Sequence, residues 1–107
     1  MAYQGLSLEG KRALVFGGTS GIGKAIAIGL AEAGADVVPV SRRAEEVAKT
    51  AQEIQSLGRA SLELTADITR REDIRRVIER MLEKMARIDV LVNAARHREK
   101  GAFVIVC

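Results

Sequence analysis

The sequence predicts an α/β fold built on a parallel sheet. Three observations predict it. Short apolar, β-branched runs alternate with longer segments of helical period. The connections between them are short and marked by Gly, Asp or Asn. A glycine cluster, Gly17-Gly18-Thr19-Ser20-Gly21-Ile22-Gly23, falls at the first strand-to-helix junction. Parallel strands joined through helices imply right-handed crossovers.

The elements follow in order. Residues 12–17 (R-A-L-V-F-G) read as the first strand. Residues 21–33 read as the first helix, with Ile22, Ile26, Leu30 and Ala33 on one stripe and Gly34 as its stop. Residues 36–40 (D-V-V-P-V) read as the second strand. Pro39 removes a ladder donor, so it is expected at the strand's C-terminal end. Residues 43–57 read as the second helix, with Val47, Ala48, Ala51, Ile54 and Leu57 inward and Gly58 after it. Residues 60–65 read as the third strand. Thr69-Arg-Arg-Glu72 has capping-box spacing and opens the third helix. Its apolar face is Ile74, Val77, Ile78, Met81, Leu82 and Met85. Residues 88–92 (I-D-V-L-V) read as the fourth strand.

After Val92 the texture changes to a polar, basic loop and then an apolar run, residues 102–106. A parallel crossover needs roughly a dozen residues or more, and fewer lie between the two runs. The tail is therefore expected either to turn back antiparallel to the fourth strand as an edge strand or to stay irregular.

Bulk properties bound the class. The chain has 107 residues, enough for one domain but not two. No run of about 18 apolar residues is present, which excludes a transmembrane helix and membrane partners of that kind. The N-terminus has neither the basic nor the apolar region of a signal peptide. The single cysteine, Cys107, can form no internal disulfide, which fits a cytoplasmic location. Net charge is +3, but arginines on the third helix are interleaved with glutamates. One tyrosine, two phenylalanines and no tryptophan leave little for base stacking, so nucleic acid is not an expected partner.

The glycine cluster has a chemical reading. N–H groups in the first turn of a helix lack intrahelical partners, and the helix dipole adds positive potential there. Glycines let the chain turn tightly and let a pyrophosphate approach the backbone. At the end of the second strand, an acid would bond the ribose hydroxyls of NAD, whereas arginine accommodates the 2′-phosphate of NADP. This chain reads Val40-Ser41-Arg42-Arg43, with no acid before Glu45. The arginines are open to two readings, solvated helix-start residues or a phosphate fork.

F-G-G-T-S-G-I-G resembles the T-G-x-x-x-G-x-G motif of the short-chain dehydrogenase/reductase family, with Phe16 where the family usually has Thr. Asp67-Ile68 resembles its D-[VI] pair after the third strand. Leu91-Val92-Asn93-Ala94-Ala95-Arg96 resembles its L-V-N-N-A-G segment, with Ala94 for the second Asn and Arg96 for Gly. The resemblance runs from about Leu8 to Ala95. It implies a Rossmann-like half with sheet order 3-2-1-4, the first two helices on one face and the third on the other, near strands 1 and 4. Residues 1–95 would form this cofactor-binding half, and 96–107 an atypical tail.

Residue by residue, the resemblance implies that Gly17, Gly21, Ile22 and Gly23 cradle the pyrophosphate, while Thr19 and Ser20 line the loop. Ser41 and Arg42 would hold the 2′-phosphate, favouring NADP(H) over NAD(H). Asp67 and Ile68 would flank adenine, and Asn93 and Ala94 would border the adenosine ribose. The family's chemistry, hydride transfer between NADPH and a carbonyl or alcohol, uses a serine, a Tyr-x-x-x-Lys pair and a later Asn. The only tyrosine here is Tyr3, followed four residues on by Ser7. Lys84 reads as an exposed helix residue and His97 as a loop residue, so neither is a stand-in. The expectation is a cofactor-binding portion without catalytic residues. The alternative is a stand-alone nucleotide-binding or interaction module. Without the rest of the family's elements, an open apolar face and an unpaired sheet edge invite self-association. The change after Ala95 resembles an altered reading frame or an early stop.

Overall fold

The computed structural model describes residues 7–95 and 103–106. Tyr3, Arg96, His97 and Cys107, singled out above, lie outside the described residues, as does the first residue of the apolar run 102–106. The elements are β1 (Arg12–Phe16), α1 (Gly21–Glu32), β2 (Asp36–Ser41), α2 (Ala44–Ser56), β3 (Leu64–Thr65), α3 (Arg71–Met85), β4 (Val90–Asn93) and β5 (Phe103–Val106). They form one sheet in the order β3-β2-β1-β4-β5. The first four strands are parallel, as expected, and β5 pairs antiparallel with β4. The tail thus takes the edge-strand alternative, with Leu91 opposite Ile105.

β1 is the spine of the core. Its residues Ala13, Leu14 and Val15 are fully buried because both faces of this central strand are covered. Ala13 and Val15 face α1 and α2, together with Val37, Ile54 and Val92. Leu14 and Phe16 face α3, together with Val38, Val40, Val77 and Met81. The expected division of helices between the two faces therefore holds. The cluster under α3 includes Leu14 and Phe16 of β1 and Leu91 of β4, as expected, and extends to Val38 and Val40 of β2. A helix that links β3 to β4 must cross β2 and β1 on the way.

Pro39 sits inside β2 rather than at its end, opposite Val15 and followed by Val40 and Ser41. The Val37 N–H donates to the Ala60 carbonyl, away from β1. Side-to-side alternation points the Pro39 nitrogen the same way, where a donor is missing. The β3 ladder accordingly begins only at Leu64, opposite Val40, rather than at residue 60. The proline shortens the neighbouring strand.

Two helix faces also differ from the sequence pattern. In α1 the buried residues are Gly23, Ala27 and Ala31, not the Ile22 stripe. Small residues let this helix lie close to the sheet, so Ile26 and Leu30 pack at its flanks and Ile22 is 73% exposed. In α2, Thr50 is buried, while Leu57 is exposed at the C-cap. Gly34 and Gly58 end their helices at positive φ, as expected.

The capping box at Thr69 does not form. α3 is capped by Arg70, whose side chain makes no cap bond. Thr69 instead bonds backward: its N–H and its hydroxyl both donate to Asp67 Oδ1, at 2.9 and 2.6 Å. The carboxylate that reaches back is Asp73, accepting the Asp67 N–H at 3.0 Å. Asp67 competes for the threonine because an Asx turn is available two residues upstream.

Candidate functional site

The C-terminal ends of β1, β2, β3 and β4 converge on a cleft of about 470 Å³. In open parallel sheets, ligands bind at this end, where the strand order reverses. Here the reversal flanks β1, whose crossover leads to β2 on one side while β4 lies on the other. The cleft is lined by Gly17, Thr19 and Ser20 of the glycine turn, by Ser41, Arg42, Arg43 and Glu46, and by Asp67, Ile68 and Thr69.

The glycine turn is held by backbone at both neighbours. The Gly17 N–H donates to the Val40 carbonyl at 2.7 Å, and the Ala94 N–H donates to the Phe16 carbonyl at 2.8 Å. Phe16 buries its ring against the α3 face. Gly17 has φ +76°, and a Cβ there would stand 2.5 Å from the Ala95 nitrogen. A Cβ on Gly23 would stand 1.8 Å from the Gly17 carbonyl oxygen. These two glycines let the turn, α1 and the end of β4 touch. Gly21 is different: its φ is +55°, yet nothing lies within 4 Å of where its Cβ would be. It faces the open side of the turn.

α1 has no acidic residue in its first turn, whereas α2 has Glu45 and Glu46 and α3 has Glu72 and Asp73. Its N-terminal N–H groups and dipole are therefore left for an anion. Arg42 is exposed at the end of β2, and among the described residues it makes no ion pair. The Ser41 hydroxyl oxygen accepts the Arg43 N–H at 3.3 Å, leaving its own O–H to donate. Bonding from the Thr69 hydroxyl, then its N–H, holds the Asp67 carboxyl below the usual carboxylate range, so it is charged at neutral pH.

The structure thus brings Gly17, Thr19, Ser20, Ser41, Arg42, Asp67 and Ile68 to one cleft. Gly21, Ile22, Gly23, Asn93 and Ala94 are not among its lining residues. Gly23 is buried behind the turn. Asn93 spends its amide oxygen on the Ala95 N–H at 3.1 Å. Ala94 presents a small Cβ toward Gly23. Sequence reading missed Glu46. Its one signal, an acid in the first turn of the helix that leaves β2, is equally explained by that helix's own dipole.

Among the described residues, no group of His, Cys, Asp and Glu could hold a metal ion, and no helix is long and apolar enough to cross a membrane. A parallel sheet with a glycine turn at its switch point defines a Rossmann-like α/β domain. Within that class, the chain belongs to the short chain dehydrogenase family, whose pattern it matches over residues 11–105. The match continues past Ala95 and through most of β5.

The chain is 39% identical over 95 residues to 2-dehydro-3-deoxy-D-gluconate 5-dehydrogenase of Escherichia coli, covering 89% of this chain and 37% of that protein. It superposes on L-sorbose reductase of Gluconobacter frateurii, solved with NADPH and L-sorbose, with a TM-score of 0.82 and 33% identity. That match covers 86% of this chain and 35% of the reductase. RhlG of Pseudomonas aeruginosa, solved with NADP, matches with a TM-score of 0.78 and 41% identity over 86% of this chain and 37% of its own. The chain therefore spans a little over a third of the length of these relatives.

Proposed function

We propose that this chain is the NADP(H)-binding portion of a short-chain dehydrogenase/reductase, with residues 1–95 as the binding unit. The observation that carries the reading is the cleft itself. It collects the glycine turn that leads into an acid-free helix N-terminus, the Ser41 hydroxyl, and an exposed arginine with no ion pair among the described residues. This donor set suits a dinucleotide with an extra phosphate. The α1 N-terminus and Gly21 would receive the pyrophosphate, and Ser41 O–H and the Arg42 guanidinium would receive the 2′-phosphate. Asp67 and Ile68 would flank the adenine. Bound in this way, the nicotinamide supplies the hydride chemistry of the family.

The sequence contains no Tyr-x-x-x-Lys, the acid–base pair that the family resemblance calls for. The chain as it stands is therefore read as binding cofactor without turning it over. That same observation supports the second reading, a nucleotide-binding module that acts without catalysis.

Arg42→Ala tests the cofactor assignment. NADPH affinity should fall about tenfold or more, the scale of a lost charge-assisted bond, while NADH affinity should hardly change. Equal losses for both cofactors in a fluorescence titration would refute the 2′-phosphate role.

A further inference from the structure

The cleft carries an unexpected charge. Two guanidinium groups, Arg42 and Arg43, and two carboxylates, Glu46 and Asp67, line it. Asp67 is engaged by Thr69. Glu46 uses both oxygens: Oε1 accepts the hydroxyl of Thr19 at 3.1 Å, and Oε2 accepts from Arg43 at 3.4 Å. Thr19 belongs to the glycine turn and is only 7% exposed, whereas the Arg43 side chain is 77% exposed. Glu46 therefore stands between the buried floor of the anion site and its outer cation.

We infer that Glu46 is a positioning residue that holds Arg43 in an ion pair at the rim of the cleft and so sets how strongly the site prefers a 2′-phosphate. The inference rests on the NADP(H) reading above and deepens it. With Glu46 in place, the Arg43 charge is matched, and of the two cleft arginines only Arg42 is without an ion pair among the described residues. A carboxylate near a dianionic phosphate also repels it directly, and a partly screened cleft preserves much of that effect. Removing the charge acts twice in one direction: it deletes the repulsion and frees a second guanidinium. NADH lacks the 2′-phosphate and is far less affected.

The test is direct titration of the full chain with NADPH and NADH in three variants. Glu46→Gln keeps an acceptor for the Thr19 hydroxyl and deletes the charge. It should tighten NADPH binding about fivefold, change NADH by less than about twofold, and steepen the salt dependence of NADPH binding. Arg43→Gln unmasks the carboxylate and should weaken NADPH about as much. The double variant, which removes both charges, should return to near the wild-type NADPH-to-NADH ratio.

A purely structural tie would move both cofactors alike in Glu46→Gln, and that result overturns the inference. So does an unchanged ratio in Glu46→Gln, or a double variant in which the Arg43→Gln loss persists. If Glu46→Gln does not fold, the exposed Arg43→Gln variant decides: an unchanged NADPH-to-NADH ratio sinks the inference. Failure of the underlying reading looks different. There the wild-type chain shows no preference for NADPH and Arg42→Ala has no selective effect, which overturns both.

Discussion

At the scale of single residues, the glycines of the turn divide two tasks that sequence cannot separate. Gly23 is needed for packing, because its Cβ would lie 1.8 Å from a backbone carbonyl that cannot rotate away. Gly23→Ala should cost about 1–3 kcal/mol of stability, the range for forced overpacking, read from the urea midpoint. Gly21 has open space where a Cβ would go, and its left-handed φ makes alanine cost roughly 1–2 kcal/mol. Under the proposed cofactor reading, its Cβ would instead stand where the pyrophosphate approaches. Gly21→Ala should therefore lower cofactor affinity out of proportion to its effect on stability. Paired urea melts and NADPH titrations check the contrast; equal behaviour of the two variants would remove the distinction. That Ser41, Arg42, Asp67 and Ile68 would line the cleft was legible from their places at strand ends. Glu46 was not, because an acid in the first turn of α2 also satisfies that helix's own dipole, and sequence does not show which way it points.

At the scale of elements, strand-helix order was legible throughout, since every run had the right period and a turn signal after it. Faces and ends were less so. The α1 stripe drawn through the largest side chains missed the real one through Gly23, Ala27 and Ala31, because close helix–sheet contact favours the smallest residues. The length of β3 depended on a missing N–H at Pro39 of another strand, a non-local cause. The start of α3 depended on which acceptor Thr69 chose. Its choice has a pH consequence. The Thr69 hydroxyl leads the bonds that hold the Asp67 carboxyl below its usual range, and the Asp67 N–H does the same for Asp73. A folded-state value below the unfolded one means the unfolded chain takes up protons first as pH falls. These carboxylates therefore contribute stability that is fully present above about pH 5 and is lost as pH drops through and below about 4. Thr69→Val should raise the Asp67 titration toward its ordinary value and flatten the acid limb of stability. Carboxyl NMR titration with urea melts between pH 2 and 6 reads both; an unshifted Asp67 would show that the hydroxyl is not the cause.

At the scale of the whole molecule, the sheet joins stability to the cleft. β1 is buried on both faces and ends in the glycine turn, so tightening the turn also tightens the spine of the core. β4 is flanked by β1 and by β5, and the β5 pairing covers an edge that would otherwise present unpaired backbone groups. Amides of Phe103–Val106 that bond to β4 should exchange slowly with deuterium, and deleting residues 96–107 should make light scattering rise with concentration. Fast exchange there together with an unchanged monomer after deletion would remove the capping role. The cofactor should act on the same sheet from its other end. A ligand that binds only the folded chain adds about 2.7 kcal/mol at a hundredfold excess over its Kd. For a domain near this size, each kcal/mol moves Tm by about 4–8 °C. Saturating NADPH should therefore raise the melting temperature of the chain by on the order of 10 °C, and NADH by less at equal concentration. Arg42→Ala should erase the difference between the two cofactors while leaving the melt without cofactor nearly unchanged, because Arg42 is exposed and outside the core clusters. A cooperative transition indifferent to both cofactors would leave the fold standing and remove the cofactor reading. A broad transition that sharpens only with NADPH would mean that the sheet is completed by its ligand.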